Sequence, residues 1–200
     1  MNQNVKNSYD YLKMIVEYFI SLLCLILLIP VIFILAISIK LTGKGPVLYS
    51  QKRIGRGGKS FIIYKFRSLH FGKEEGISLI SNREDIRITA MGRFMRKHKL
   101  DEIPNFINVL KGEMSIVGPR PEQQFYIDQI VNREPRYKQL LLIKPGITSW
   151  GQVKYGYASN VEEMIKRMEY DLFYLENRSL RFDLKIAFYT IVIMIKGQGI

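Results

Sequence analysis

Two adjacent carboxylates, Asp101 and Glu102, stand in a part of the chain whose residue types could do chemistry. The apolar residues that follow them recur at helical spacing and predict a helix with one buried face: Ile103, Phe106, Ile107 and Leu110. Asp101 is a good N-cap residue for this helix, and we expect Gly112 to end it. Paired carboxylates suit a hard cation such as Mg2+, together with one nucleophile or general base.

A short extended run, residues 115–117, leads from this helix into the turn Gly118-Pro119-Arg120-Pro121. Two prolines stiffen the turn, so Arg120 has little freedom, and its planar guanidinium suits phosphate oxygens. The predicted helix N-terminus would also attract anions. We therefore interpret residues 99–122 as an active site that handles phosphate. The alternative, an acidic N-cap pair followed by a rigid loop, is the commoner origin of this spacing taken alone.

This segment resembles the signature of the monotopic phosphoglycosyl transferases, the bacterial sugar transferase family of membrane enzymes. Further motifs carry the resemblance in one order along nearly the whole chain. They are the apolar N-terminal segment, YSQKR at 49–53, YKFRS at 64–68, PGITSWGQV at 145–153 and DLKI at 183–186. Because several motifs keep their order, the resemblance favours the active-site interpretation over an acidic N-cap pair followed by a rigid loop.

The resemblance implies transfer of a sugar-1-phosphate from a UDP-sugar to polyprenyl (undecaprenyl) phosphate, with UMP as the second product. It places this reaction at the first membrane step of bacterial glycoconjugate synthesis. It also implies that Asp101 attacks the β-phosphorus to form a covalent aspartyl intermediate, and that Glu102, with Asp101, holds Mg2+. Phosphate or nucleotide-sugar contacts are implied for five residues: Lys65, Arg67, Arg96, Arg120 and Gln152.

The chain departs from the family pattern at two places. Tyr155-Gly156-Tyr157 stands where the family motif continues with Asn-Gly-Arg, so another residue, for which Lys154 is the candidate, must replace that arginine. A preference for one sugar or base does not transfer across this change. Ile29 precedes Pro30 where relatives have serine at the break of the membrane helix.

Residues 18–39 carry no charge, and this stretch of about 22 residues is long enough to cross a bilayer once. Pro30 removes a helix hydrogen bond, so we expect a kink there. The resemblance favours a re-entrant helix with both ends in the cytoplasm, although a spanning helix stays open. Lys40, Lys44 and Lys52 follow the segment and indicate a cytoplasmic side. We expect the protein in the bacterial inner membrane, with its catalytic part on the cytoplasmic face.

The resulting fold prediction is α+β and mainly helical, with residues 1–42 inserted in the membrane and residues 43–200 forming one membrane-associated catalytic domain. A hairpin is predicted over 47–54 and 61–66, a tight turn at Pro145-Gly146, and a loop from Phe71 to Glu84. Helices are predicted over 91–99, 122–132, 133–143, 161–177 and 180–196. Amphipathic interfacial helices would surround one active site.

A formal net charge of +12 indicates anionic partners, either phosphorylated substrates or an acidic membrane surface. The single cysteine, Cys24, excludes a disulfide framework. A nucleic-acid binder is disfavoured because no binding motif accompanies the charge. The alternative of another class is a non-enzymatic basic membrane scaffold that binds anionic lipid or a partner protein. The sequence leaves a homodimer open.

Overall fold

The N-terminal part consists of two helices that meet at an angle. The computed structural model describes residues 3–72 and 85–199, beginning with α1 (Gln3–Leu27) and α2 (Ile29–Leu41). The axes are bent by 60°, and Pro30 lies in the first turn of α2, which confirms the predicted kink. Within the described ranges, no helix is by itself long and apolar enough to cross a membrane. The bent pair Tyr9–Leu27 and Ile29–Leu41 meets the requirement of length and composition when taken together.

One face of α1 carries polar side chains that pack against the rest of the protein. The ammonium of Lys13 donates to the carbonyl oxygen of Val117 at 2.8 Å. One turn later, the Glu17 carboxylate accepts from the Ser115 hydroxyl at 2.6 Å and from the Ile116 N–H at 2.9 Å. Both side chains are about nine-tenths buried. The spacing of four residues puts them on the same face of the helix, so this end of the chain is fixed by buried polar contacts.

The predicted hairpin is confirmed. Strands β1 (Leu48–Ile54) and β2 (Ser60–Phe66) pair antiparallel, and the register sets Tyr49 opposite Lys65. A short 3-10 turn, Arg56–Gly58, joins the strands, and Gly57 there adopts φ 68°, which glycine tolerates. The far end of β2 leads directly to the residues of the site.

A second sheet was not predicted. Strands β3 (Ser115–Val117) and β4 (Gly146–Thr148) pair in parallel, with Ser115 opposite Gly146. The predicted tight turn at Pro145-Gly146 is therefore wrong, because Gly146 belongs to a strand. A Cβ on Gly146 would lie 2.1 Å from the backbone nitrogen of Gly118, so only glycine allows the two backbones to approach this closely.

Helices make up most of the remainder: α3 (Ala90–Lys97), α4 (Asn105–Leu110), α5 (Gln124–Arg133), α6 (Trp150–Lys154), α7 (Val161–Glu176) and α8 (Leu180–Lys196). The predicted helices at 161–177 and 180–196 are confirmed. The segment predicted as a helix over 133–143 is instead the 3-10 helix Pro135–Leu142. Residues 73–84 of the predicted Phe71–Glu84 loop lie outside the described residues.

The largest core cluster lies between α5 and α7. Met164 and Met168 of α7 are buried against Ile127 and Ile130 of α5, as the methionine spacing predicts. Trp150 belongs to a separate cluster, where its ring centroid lies 5.1 Å from that of Phe182. These packed helices give the strands and turns of the site a rigid base.

Candidate functional site

The two adjacent carboxylates lie in a 3-10 turn, Leu100–Glu102, and not at a helix N-cap. Helix α4 begins at Asn105, after Pro104, so the predicted capping role of Asp101 is wrong. Pro104 has no N–H to donate and a φ that is already suited to a helix start. Proline therefore favours a helix that begins next to it, after the 3-10 turn. Both carboxylates are 8% exposed. Gly112 has φ 76° and follows the helix, as predicted.

Glu102 is held by two cations. Lys65 Nζ, on β2, lies 2.6 Å from Glu102 Oε1, and Arg120 Nη1 lies 3.6 Å from the same oxygen. Burial alone would raise the pKa of this carboxyl, but the charges of Lys65, Lys99 and Arg120 outweigh burial and bring the pKa well below its usual range. Glu102 is therefore a fixed anion at neutral pH.

Asp101 differs sharply from its neighbour. Across residues 9–72 and 85–199, its carboxylate has no hydrogen bond and no ion pair. Burial raises the pKa of Asp101, and the negative charge of Glu102 adds to the rise while Lys65 opposes it. Two carboxylates that are adjacent in sequence thus have opposite environments, a contrast typical of groups with separate chemical roles.

The stiff turn at Arg120 is anchored through Glu122. This carboxylate is 4% exposed and accepts from Arg167 on α7 at 2.5 Å and from Arg53 on β1 at 3.1 Å. Arg120 Nε lies 3.8 Å from Glu122 as well. Burial would raise the pKa of Glu122, but Arg167 and Arg53 lower it below its ordinary value. Sequence reasoning missed this network, although Arg53 and Glu122 both lie within the motifs.

A cleft of about 410 Å³ opens over the two carboxylates. It is lined by Asp101, Glu102, Lys65, Arg96, Arg120 and Gln152, so the structure brings these predicted site residues together. The Gln152 side-chain oxygen is buried and has no hydrogen-bond partner within the described ranges. The volume of the cleft is in the range of small-molecule sites. Most of the charged residues that line it are basic, so the cleft suits an anionic ligand.

Arg67 contributes to the cleft wall, yet its guanidinium is engaged elsewhere. It donates to the carbonyl oxygens of Ile39, Gly43 and Lys44 at 2.9 to 3.1 Å, which ties β2 to the end of α2. These bonds favour a structural role, and the phosphate contact implied for Arg67 stays a prediction. Arg96, by comparison, donates to the Ser68 hydroxyl at 2.8 Å.

The residues in place of the family Asn-Gly-Arg also line the cleft, namely Tyr155, Gly156 and Tyr157. Lys154, the candidate substitute for the arginine, lines it too, and its ammonium lies 4.9 Å from the centroid of the Trp150 ring. Lys99 is a further lining residue that sequence reasoning did not assign. In the sequence, only its position two residues before Asp101 pointed to Lys99.

A buried carboxylate behind the cleft supports Gln152. Asp171 on α7 is 3% exposed and accepts from the backbone N–H of Gly151 at 2.7 Å. Burial raises the pKa of Asp171 to about 6, although this hydrogen bond and the charge of Arg167 oppose the rise. Asp171 thereby holds the first turn of α6, which carries Gln152.

Comparison with known proteins shows the family to which the chain belongs. The family model described as bacterial sugar transferase matches residues 8–197. The chain is 38% identical over 191 residues to a UDP-N-acetylgalactosamine-undecaprenyl-phosphate N-acetylgalactosaminephosphotransferase of Aeromonas hydrophila, covering 96% of this chain and 45% of the relative. It is 39% identical over 181 residues to a UDP-glucose:undecaprenyl-phosphate glucose-1-phosphate transferase of Klebsiella pneumoniae, covering 90% and 39%.

A relative of the same printed function from Caulobacter vibrioides is 37% identical over 185 residues, covering 91% of this chain and 69% of the relative. The chain thus spans less than half the length of the first two relatives. The family match over residues 8–197 nevertheless includes both carboxylates and the stiff arginine turn. The chain belongs to the bacterial sugar transferase family.

Proposed function

We propose that this protein transfers a sugar-1-phosphate from a UDP-sugar to undecaprenyl phosphate, giving undecaprenyl-diphosphate-sugar and UMP. The names of its relatives support the general reaction. The observation that carries the proposal is that the Asp101 carboxylate has no ion pair among the described residues, while Glu102 beside it is held by Lys65 inside a basic cleft.

In the first half-reaction, an Asp101 oxygen attacks the β-phosphorus of the UDP-sugar. A bond forms between that oxygen and phosphorus, the bond from phosphorus to the bridging oxygen breaks, and UMP leaves with the electron pair. A carboxylate without an ion pair and with a raised pKa is a better nucleophile than one held by Lys65 and Arg120. The cations around the cleft stabilise the negative charge that spreads over the phosphoryl oxygens.

In the second half-reaction, an oxygen of undecaprenyl phosphate attacks the same phosphorus. The bond to the Asp101 oxygen breaks, the carboxylate is restored, and the sugar phosphate leaves on the lipid. A covalent intermediate lets a single cleft receive a soluble donor and a membrane acceptor in turn. This sequence of steps explains why only one nucleophilic carboxylate is needed.

Mg2+ belongs to the proposal as a cofactor. Mg2+ is commonly held by one or two carboxylates together with substrate phosphates. Asp101 and Glu102 provide oxygen donors of this kind, and the Asp101 oxygens are not engaged by any described residue. When bound, the ion would neutralise charge on the diphosphate. Glu102→Gln should weaken the dependence of the rate on Mg2+, and an unchanged Mg2+ titration would place the metal elsewhere.

We further propose that the bent pair of α1 and α2 enters the inner membrane and returns, with the cleft on the cytoplasmic face. The apolar side chains of this pair, such as Phe19, Leu27 and Phe33, are about two-thirds exposed and suit a lipid environment. The exposed apolar residues Leu184, Phe188 and Ile195 on α8 suit an interfacial position. This arrangement would hold the cleft at the depth of the lipid phosphate.

The test is UMP release from a panel of UDP-sugars, with and without undecaprenyl phosphate, by the full chain in a membrane mimetic. Mass spectrometry of protein quenched during turnover should show a sugar-phosphate adduct on Asp101, and Asp101→Asn should abolish both signals while the fold stays intact. Accumulation of product without an adduct would remove the covalent step. Absence of UMP with every sugar, together with binding to anionic lipid, would favour the scaffold alternative.

A further inference from the structure

Lys99 has an unusual backbone conformation. With φ 53° and ψ 23° it lies in the left-handed region, and it is the sole residue other than glycine with positive φ in the described part of the chain. It comes two residues after the end of α3, at a position where glycine or asparagine is usual. The Cβ of an L-residue is crowded in this conformation, so lysine makes the backbone strained here.

The Lys99 side chain lines the cleft together with Asp101, Glu102 and Arg120. Lys65 and Arg120 both pair with Glu102. The Lys99 ammonium, whose charge also acts on Glu102, makes no hydrogen bond or ion pair with residues 9–72 or 85–199. Its three N–H donors therefore have no acceptor among these residues. Since an ammonium has three donors and Lys99 lines the cleft, we expect its hydrogen-bond partner to be an anion that enters the cleft.

We propose that Lys99 binds a substrate phosphate, and that its left-handed backbone conformation presents the ammonium to that phosphate. Glycine or asparagine would fit the backbone better, but neither carries a charge, so a charge-dependent role explains why lysine occupies a strained position. The phosphate is either the diphosphate of the donor or the phosphate of the lipid acceptor. The identity of these substrates rests on the proposed function, whereas phosphate binding itself does not require turnover.

The experiment uses the full chain in a membrane mimetic and three substitutions: Lys99→Gly, Lys99→Asn and Lys99→Arg. The first two relieve the backbone strain and remove the charge, and the third keeps the charge. Inorganic pyrophosphate and UDP serve as binding probes in calorimetry. Lys99→Gly and Lys99→Asn should unfold at or above the wild-type temperature and bind pyrophosphate about tenfold more weakly, the effect of losing one charge-assisted hydrogen bond. Lys99→Arg should stay near wild type.

Lys111→Met is the matched control, because Lys111 is exposed and donates to the Tyr64 hydroxyl outside the cleft. It should bind pyrophosphate like the wild type. Wild-type affinity in both Lys99→Gly and Lys99→Asn would overturn the proposal. A loss of affinity that accompanies a lowered unfolding temperature, and that Lys99→Arg does not restore, would also overturn it.

Turnover assays then assign the source of the phosphate. A rise in KM for the UDP-sugar alone indicates the donor diphosphate, and a rise in KM for undecaprenyl phosphate alone indicates the lipid. If no variant releases UMP, wild type included, but pyrophosphate binding still depends on Lys99, the proposed function fails while the role of Lys99 stands.

Discussion

Lys65 Nζ lies 2.6 Å from Glu102 Oε1, and this ion pair joins the second strand of the hairpin to the turn that carries Asp101. Both side chains are less than one-fifth exposed. The pair holds Glu102 as an anion, whereas the Asp101 carboxylate has no ion pair among the described residues. The charge of Lys65 acts on both carboxylates, but only Glu102 lies within ion-pair distance of it, so the two carboxylates differ in chemistry.

Lys65→Met should lower kcat by about 100-fold or more, because it removes a fixed cation from a site where negative charge develops. It also leaves Arg120 as the remaining ion-pair partner of Glu102 among the described residues. Initial rates of UMP release measure the effect. Lys52→Met, an exposed residue on the neighbouring strand, is the matched control and should keep the wild-type rate. A rate for Lys65→Met within about twofold of the control would contradict this role.

Glu122→Gln should destabilise the fold by about 3 kcal/mol, because two buried arginines, Arg53 and Arg167, lose their shared carboxylate. Chemical denaturation of the purified protein measures the change. Glu162→Gln, which breaks the exposed ion pair with Lys166, should change the stability very little. Equal effects of the two substitutions would show that burial does not set the strength of the Glu122 network.

Asp171→Asn tests the pKa of about 6 at Asp171. The folded-state pKa is raised above the ordinary 3.8, so the folded protein binds more protons than the unfolded chain between these values. The contribution of Asp171 to the unfolding free energy is therefore fully present below pH 3.8, and it is lost as pH rises through about 6. The loss amounts to about 3 kcal/mol, at about 1.4 kcal/mol per pKa unit.

The measurement is the difference in unfolding free energy between wild type and Asp171→Asn as a function of pH. Arg167 and Tyr137, which face Asp171, are common to both proteins. The unfolding free energy of Asp171→Asn should increase relative to that of the wild type as pH rises from about 4 to about 6.5. A difference that stays constant with pH would show that Asp171 titrates at its ordinary value.

Glu17→Leu should destabilise the protein by about 2 kcal/mol, because backbone N–H groups of β3 and the Ser115 hydroxyl lose a charged acceptor. Thermal unfolding in a membrane mimetic detects the loss. Asp10→Asn is the control on the same helix, since the Asp10 side chain is about half-exposed. If both substitutions had the same small effect, the hydrogen bonds of Glu17 would not be what holds α1 against β3.

The re-entrant arrangement predicts that the N-terminus stays inside the cell. A Gln3→Cys variant, in a Cys24→Ser background, should not react with a membrane-impermeant maleimide on intact cells. It should react once the cells are permeabilised, which is the internal control. Labelling of intact cells would establish a spanning helix and overturn the re-entrant proposal.

Regular elements followed from periodicity where local signals agreed. The hairpin was predicted from β-type composition on both sides of a glycine-rich loop, and α7 and α8 from apolar residues at helical spacing. The second sheet was missed because β3 and β4 are three residues each and lie far apart in the chain. Such short strands carry no pattern of their own, and their pairing depends on the close approach of Gly118 and Gly146.

The sequence by itself determined the bent N-terminal helices, the hairpin and the family, because these depend on local composition and on motifs kept in order. Only the tertiary structure decided which charged side chains lie close to one another. In the fold, Lys65 pairs with Glu102 and Arg67 donates to backbone carbonyls. Asp101 has no ion pair among the described residues, and Lys99 lines the cleft. The physical reason is that a charge interacts through space, and the distances that set its pKa and its partner exist only once the chain is folded.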